Sequence, residues 1–335
     1  MSDLEYFSSY NTSTQHNGHI FSKSDLFQSW NLYICFLSVL LNLLGNPIII
    51  LVIYRTPSMH SFTHYLFVNL AVSDIALGLS SIVSFVVRET LKEGETHLPL
   101  DWICKLVHTC PIPAISMIVS SYTLSAITCE RFYHISQPFN ARLAQRNTKL
   151  TVAFIWSVAI ILLTPVIVYT SFDHGGHSCR IAVPSLAIYV LIITLLAFLL
   201  PLALMCFCYY KTVRLLWFSD SPGSTHHFPA NSIILRKHRK KVTKFLGIVI
   251  ITFIACSVPV AAILISRRYT TVPNALFFSC ILLAMFSSSV NPVIFMLQNS
   301  QFRQSFKALV MPESSSVLPD QNTVPSGEQR ETRSI

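Results

Sequence analysis

The sequence predicts an all-α membrane protein: a bundle of seven transmembrane helices with a short amphipathic helix after the seventh span. Three observations carry this. Charged residues make up only 12% of the chain against 52% hydrophobic, about half the charged share of a soluble domain. The apolar residues gather into seven long, near-continuous runs, each enough for a helix to cross a core of about 30 Å, whereas a membrane β-barrel needs short alternating segments. Within or at the ends of those runs stand Asp74, Arg131 and Asn291. Hydrocarbon excludes such residues unless they face the protein interior, where they usually take part in function.

The elements follow in order. Residues 1–30 are polar and hold no apolar signal core, so they read as an extracellular N-terminus without a cleaved signal peptide. Asn11-Thr12-Ser13 fits the N-glycosylation pattern, which makes Asn11 a candidate acceptor, although such triplets also arise by chance. The spans read as 31–54, 64–87, 103–129, 150–170, 184–210, 242–266 and 273–297, within a bundle of 31–298. Residues 299–310 read as a membrane-parallel helix. Residues 311–335, rich in Ser, Thr, Pro and Glu, read as a disordered cytoplasmic tail.

Orientation follows from the basic residues. With the N-terminus outside, the inner loops carry 13 of the 24 Lys and Arg residues and the outer segments 7. The net charge of +9 therefore belongs to a membrane-facing cytoplasmic surface, and no nucleic-acid partner is expected. Seven of the nine cysteines fall inside spans, where a buried thiol needs no special account. Cys104 and Cys179 both lie on the outer side, one at the top of the third span and one in the loop before the fifth. An oxidising compartment would join them, pinning that loop over the bundle; the alternative is two free thiols.

The motifs along the spans are Gly45-Asn46, Asn69-Leu70-Ala71-Val72-Ser73-Asp74, Glu130-Arg131-Phe132 with Ile135 and Pro138, Trp156, Pro201 with Tyr209, Phe253-Cys256-Pro259, Asn291-Pro292-Val293-Ile294-Phe295 and Phe302-Arg303. In this order and register the chain resembles the rhodopsin-like (class A) G-protein-coupled receptors, peptide receptors in particular, from about residue 30 to 310.

The resemblance implies roles. Asp74, a lone carboxylate in mid-bundle, must be neutralised by a proton, a cation or hydrogen bonds. The family would give it Ser120, Ser287 and Asn291 as partners and a sodium ion in the inactive state; the alternative is a protonated Asp in a packing network. No other cofactor is implied. Glu130 restrains Arg131, which the family frees toward a heterotrimeric G protein. Phe132 completes that motif, and Pro138 and Phe139 continue the contact surface. No acid stands near Arg239, Lys240 and Lys241, so no lock between the third and sixth helices through Arg131 is expected. Pro201, Pro259 and Pro292 interrupt helical hydrogen bonding and give points of flexure. With Phe253, Tyr209 and Phe295 they match the family's switch parts.

Three departures stand out. Ser257 replaces the family's sixth-helix tryptophan. Phe295 replaces a tyrosine whose hydroxyl could join a water chain to Tyr209. The stretch from Cys104 to Arg131 is about two residues longer than usual and includes Pro111 and Pro113, which predicts an irregular turn near the top of the third helix.

Ligand classes narrow by exclusion. The seventh span has no Lys for a retinal Schiff base, and no acid lies between Cys104 and Cys129 to pair with an amine. The outer rim mixes Arg88, Glu89, Glu93, Glu95, Asp101, Asp173, Arg180, Arg267 and Arg268, which suits an extracellular peptide. A neuropeptide is the favoured ligand, with a small or lipid ligand as the alternative. A membrane transporter would show repeated halves, which are not seen, and the spans hold no catalytic constellation, so no enzyme is expected. The tail hydroxyls Ser314, Ser315, Ser316, Thr323, Ser326, Thr332 and Ser334 offer sites for a receptor kinase and then arrestin. Membrane lipid surrounds the rest of a plasma-membrane, multi-pass chain.

Overall fold

The computed structural model describes residues 23–92, 100–136, 147–173, 178–218, 230–267, 269–298 and 300–310. Among them run α1 (Lys23–Arg55), α2 (Phe62–Lys92), α3 (within Leu100–Ser136), α4 (Thr148–Val168), α5 (within Leu186–Trp217), α6 (Ala230–Ser266), α7 (Asn274–Gln298) and the short α8 (Ser300–Val310). The first seven are each long and apolar enough to cross a membrane, and the chain is a multi-pass membrane protein. Several helices outrun the predicted spans, because the backbone stays helical through polar residues beyond the apolar run.

The helices α1, α2, α3, α5, α6 and α7 pack in sequence, and α7 returns to α1. α3 touches α2, α4, α5 and α7, which makes it the central strut. Polarity is inverted relative to a soluble protein. Asn42, Asn46, Ser73, Asp74 and Ser289 are buried, whereas Ile161, Ile251 and Leu297 are each more than 65% exposed. That apolar exterior matches lipid. Gly45 permits the α1–α7 contact: a Cβ there would lie 2.7 Å from Cβ of Pro292.

α3 begins irregularly, as its extra length predicts. A helical turn (Leu100–Ile103) leads into a π-helical segment (Cys104–His108), Cys110 takes a left-handed φ of 44°, and Pro111 restarts the helix. Pro suits a first helical position because its missing N–H would be unpaired there.

α5 contains a π-helical segment, Leu195–Leu199, just before Pro201. Proline cannot donate to the carbonyl four residues back, and hydrocarbon offers no water in its place. α3 supplies the donors. Ser121 donates to the Ala197 carbonyl (3.1 Å), Tyr122 to that of Leu196 (2.8 Å), and Ser125 to that of Pro201 (2.9 Å). A serine-rich α3 thus tolerates a broken α5.

The all-α expectation missed one element. β1 (Thr170–Asp173) and β2 (Ser178–Ile181) form an antiparallel hairpin with Phe172 opposite Cys179. Four-residue strands carry too little alternation to read. This pair is held from outside: Cys179 is disulfide-bonded to Cys104, and the Phe172 N–H donates to Asp101 (2.7 Å). The hairpin therefore sits over the start of α3.

α8 is anchored by Phe302, fully buried among Ile49, Ile53, Met59 and Phe295. Arg303 donates to the carbonyls of Leu297 (2.6 Å) and Met296 (3.3 Å), capping the negative end of α7.

Candidate functional site

Two polar centres lie along α3, one in mid-bundle and one at the Arg131 end. The first is built around Asp74, which has no exposed surface. Ser120 of α3 donates to Oδ1 (2.9 Å), and Asn291 of α7 donates to Oδ2 (3.0 Å). Ser288 also stands close enough to act on the carboxylate electrostatically. Ser73 lies 2.9 Å from Ser120 Oγ and donates to the Leu70 carbonyl. Three helices thus converge on one buried acid. Ser287, the expected partner, instead donates to the Ala284 carbonyl (2.8 Å), and it lines a small cavity with Ser120, Ser288 and Asn291. The one-residue offset arises because consecutive helical residues point about 100° apart, which α7's sequence alone does not resolve.

The residues here fit a small hard cation. A buried carboxylate needs a compensating charge or proton. The groups around it offer carboxylate, hydroxyl and amide oxygens, the ligands hard cations take. Among the described residues no cluster of three His, Cys, Asp or Glu side chains is arranged for a transition metal.

The same cavity reaches Phe253 and Ser257 of α6. Phe253 is buried with Leu124, Met205 and Ile250. Ser257 is 4% exposed, and at this position a tryptophan would have to occupy the cavity. Pro259 lies two residues further along α6 and is half-buried.

The second centre surrounds Glu130. Thr63 of α2 donates to Oε1 (2.7 Å), and Nε2 of His134 lies 3.1 Å from the same oxygen. Arg131 Nε lies 3.6 Å from Oε2, an oxygen with no hydrogen bond. This is an ion pair without hydrogen-bond geometry. Phe132 is half-buried beside them. Pro138 and Phe139, like Asn11 and the tail hydroxyls, lie outside the described residues.

Between the centres, Asn69 donates to Thr123 (2.8 Å) and accepts from Trp156 (2.9 Å), joining α2, α3 and α4. Tyr209 places its hydroxyl against α6 at Gly247, where a Cβ would collide with it. Phe295 packs its ring on Phe67 (centroids 4.4 Å apart) and on Phe302 (4.9 Å). A hydroxyl on that ring would enter an apolar cluster shared by α2 and α8.

Sequence reasoning missed Thr63, His134 and Ser288, and gave no role to Ser73, which it quoted within the second-span motif. Only His134 carried a readable signal, its spacing of four from Glu130 on a helix.

Comparison with known proteins adds to this geometry. The model of the 7 transmembrane receptor (rhodopsin family) matches residues 45–295. The chain is 30% identical over 286 residues to the Substance-K receptor of Homo sapiens, covering 80% of this chain and 69% of that one. It is 29% identical over 276 residues to the Neuromedin-K receptor of Oryctolagus cuniculus, covering 78% and 57%. It is 25% identical over 279 residues to the Somatostatin receptor type 5 of Bos taurus, covering 79% and 72%.

Proposed function

The chain belongs to the rhodopsin family of seven-transmembrane receptors, and on that premise we propose that it is a neuropeptide receptor that activates heterotrimeric G proteins. One observation carries the ligand class: its relatives are receptors named for substance K, neuromedin K and somatostatin. The mixed rim charges, with Asp101 holding the disulfide-bonded hairpin, suit a peptide that binds over the outer ends of the helices.

The mechanism is a population shift between two bundle arrangements, driven by a ligand that binds one better than the other. Peptide binds on the Cys104 side, which faces outward. α6 swings at Pro259, where its hydrogen-bond ladder is interrupted, and Phe253 and Tyr209 repack against it. Asn291, Pro292 and Phe295 move with α7. Arg131 leaves Glu130 and, with Phe132, Pro138 and Phe139, meets the G protein. Asp74, Ser120, Ser287 and Asn291 would hold a sodium ion, which supplies the positive charge a buried carboxylate lacks. Receptor kinase and arrestin act on the tail, and the chain lies in the plasma membrane with its C-terminus in the cytoplasm.

A peptide-library screen in cells carrying a promiscuous G protein tests this reading. A peptide is expected to elicit a response absent from cells without the chain. Responses to lipid or small-molecule libraries alone would overturn the ligand class.

A further inference from the structure

We propose that His134 is a positioning residue for activation: it shares the Glu130 carboxylate with Arg131, so that the release of Arg131 depends on proton concentration on the G-protein side. The inference rests on the receptor reading above. Glu130 is gripped unevenly. Both hydrogen-bond-length contacts, from Thr63 (2.7 Å) and His134 (3.1 Å), fall on Oε1, while Arg131 stands 3.6 Å from Oε2. The arginine is thus the most weakly held of the three neighbours.

The second observation is scarcity of negative charge. Among the described residues Glu130 is the only acid at this end of the bundle. At the same end α2 and the turn before it carry His64 and His60, α4 carries Lys149 in its first turn, α5 carries Lys211 and Arg214 in its last two turns, and α6 carries Arg239, Lys240, Lys241 and Lys244. His60 turns its Nε2 to the Ile53 carbonyl (3.1 Å), and His64 pairs through Nδ1 with Ser61 (2.7 Å). His134 is the imidazole on the carboxylate itself. Its side chain is 39% exposed, so protons reach it, whereas Glu130 is 6% exposed.

Histidine gains or loses its charge between about pH 5 and 8. Uncharged, His134 offers Oε1 at most one neutral hydrogen bond. Protonated, it becomes a cation four residues after a carboxylate, the favourable order for a helical ion pair. That charge attracts Glu130 and repels Arg131, and both effects weaken the hold on Arg131. Acidification therefore favours the G-protein-competent arrangement, and alkalinity favours the resting one.

The test is GTP-analogue loading of purified heterotrimer by the full chain in lipid nanodiscs, at pH 6.0 and 8.0, each rate divided by that of heterotrimer with empty nanodiscs. Wild type is expected to stimulate about twofold more at pH 6.0, the ratio a helical ion pair of this spacing supports. His134→Gln, which keeps a hydrogen-bonding side chain without the titration, is expected to lose that pH dependence at the lower stimulation. His134→Lys, a fixed cation, is expected to lose it at the higher one. Equal pH slopes in wild type and both variants overturn the role of His134 and leave the receptor reading standing. No stimulation by any of the three at either pH, across the heterotrimer classes, overturns both.

Discussion

Asn291 donates its side-chain amide to Oδ2 of Asp74 across 3.0 Å, tying the middle of α7 to the middle of α2. Ser120 brings α3 to the same carboxylate. Three helices thus depend on one buried acid. Asp74→Asn keeps the size and removes the charge. Thermal unfolding in detergent, with NaCl against choline chloride, is expected to show sodium stabilising the wild type and not the variant. A salt concentration tenfold above the dissociation constant adds about 1.4 kcal/mol. An equal sodium effect in both proteins would place the ion elsewhere.

Gly45 is expected to be intolerant of even one added carbon. Gly45→Ala would set a Cβ 2.7 Å from Pro292, and both backbones are helical. Overpacking of this kind costs about 1–3 kcal/mol. A clear fall in melting temperature is expected, and an unchanged one would show that α1 and α7 are not held this close.

The α3–α5 seam gives a third prediction. Ser121 and Ser125 satisfy the carbonyls of Ala197 and Pro201. Interhelical hydrogen bonds in membranes average about 0.6 kcal/mol. Ser121→Ala and Ser125→Ala should each lower stability by about that amount. The double variant should lose at least the sum, because the π-helical segment of α5 then lacks two of its outside donors. Hydrogen exchange over residues 195–201 would report the loosening, and unaltered exchange there would contradict it.

Much of the fold was legible because bilayer physics writes it large. Seven apolar runs and their polar intruders require no tertiary knowledge. The extra residues before Arg131 announced a distorted α3, and the π-helical segment with the left-handed Cys110 supplies it. What was illegible depended on rotation and cross-helix reach. Ser287 and Ser288 differ by one step around α7, and only packing decides which faces Asp74. Thr63 lies 67 residues from Glu130, and no local pattern joins them. The hairpin was hidden because its strands are ordered by Cys104 and Asp101, not by their own sequence.

The central claim is that Glu130 restrains Arg131 and that its release engages a G protein. Labelled GTP-analogue loading by purified heterotrimer, with full-length wild type and Glu130→Gln in lipid nanodiscs, tests it most directly. Gln keeps an acceptor for Thr63 and gives up the charge that faces Arg131. A partly exposed ion pair is worth up to about 1 kcal/mol, so basal loading by the variant should exceed wild type by about two- to fivefold. Loading no faster than with empty nanodiscs for both proteins, across all heterotrimer classes, would contradict the account.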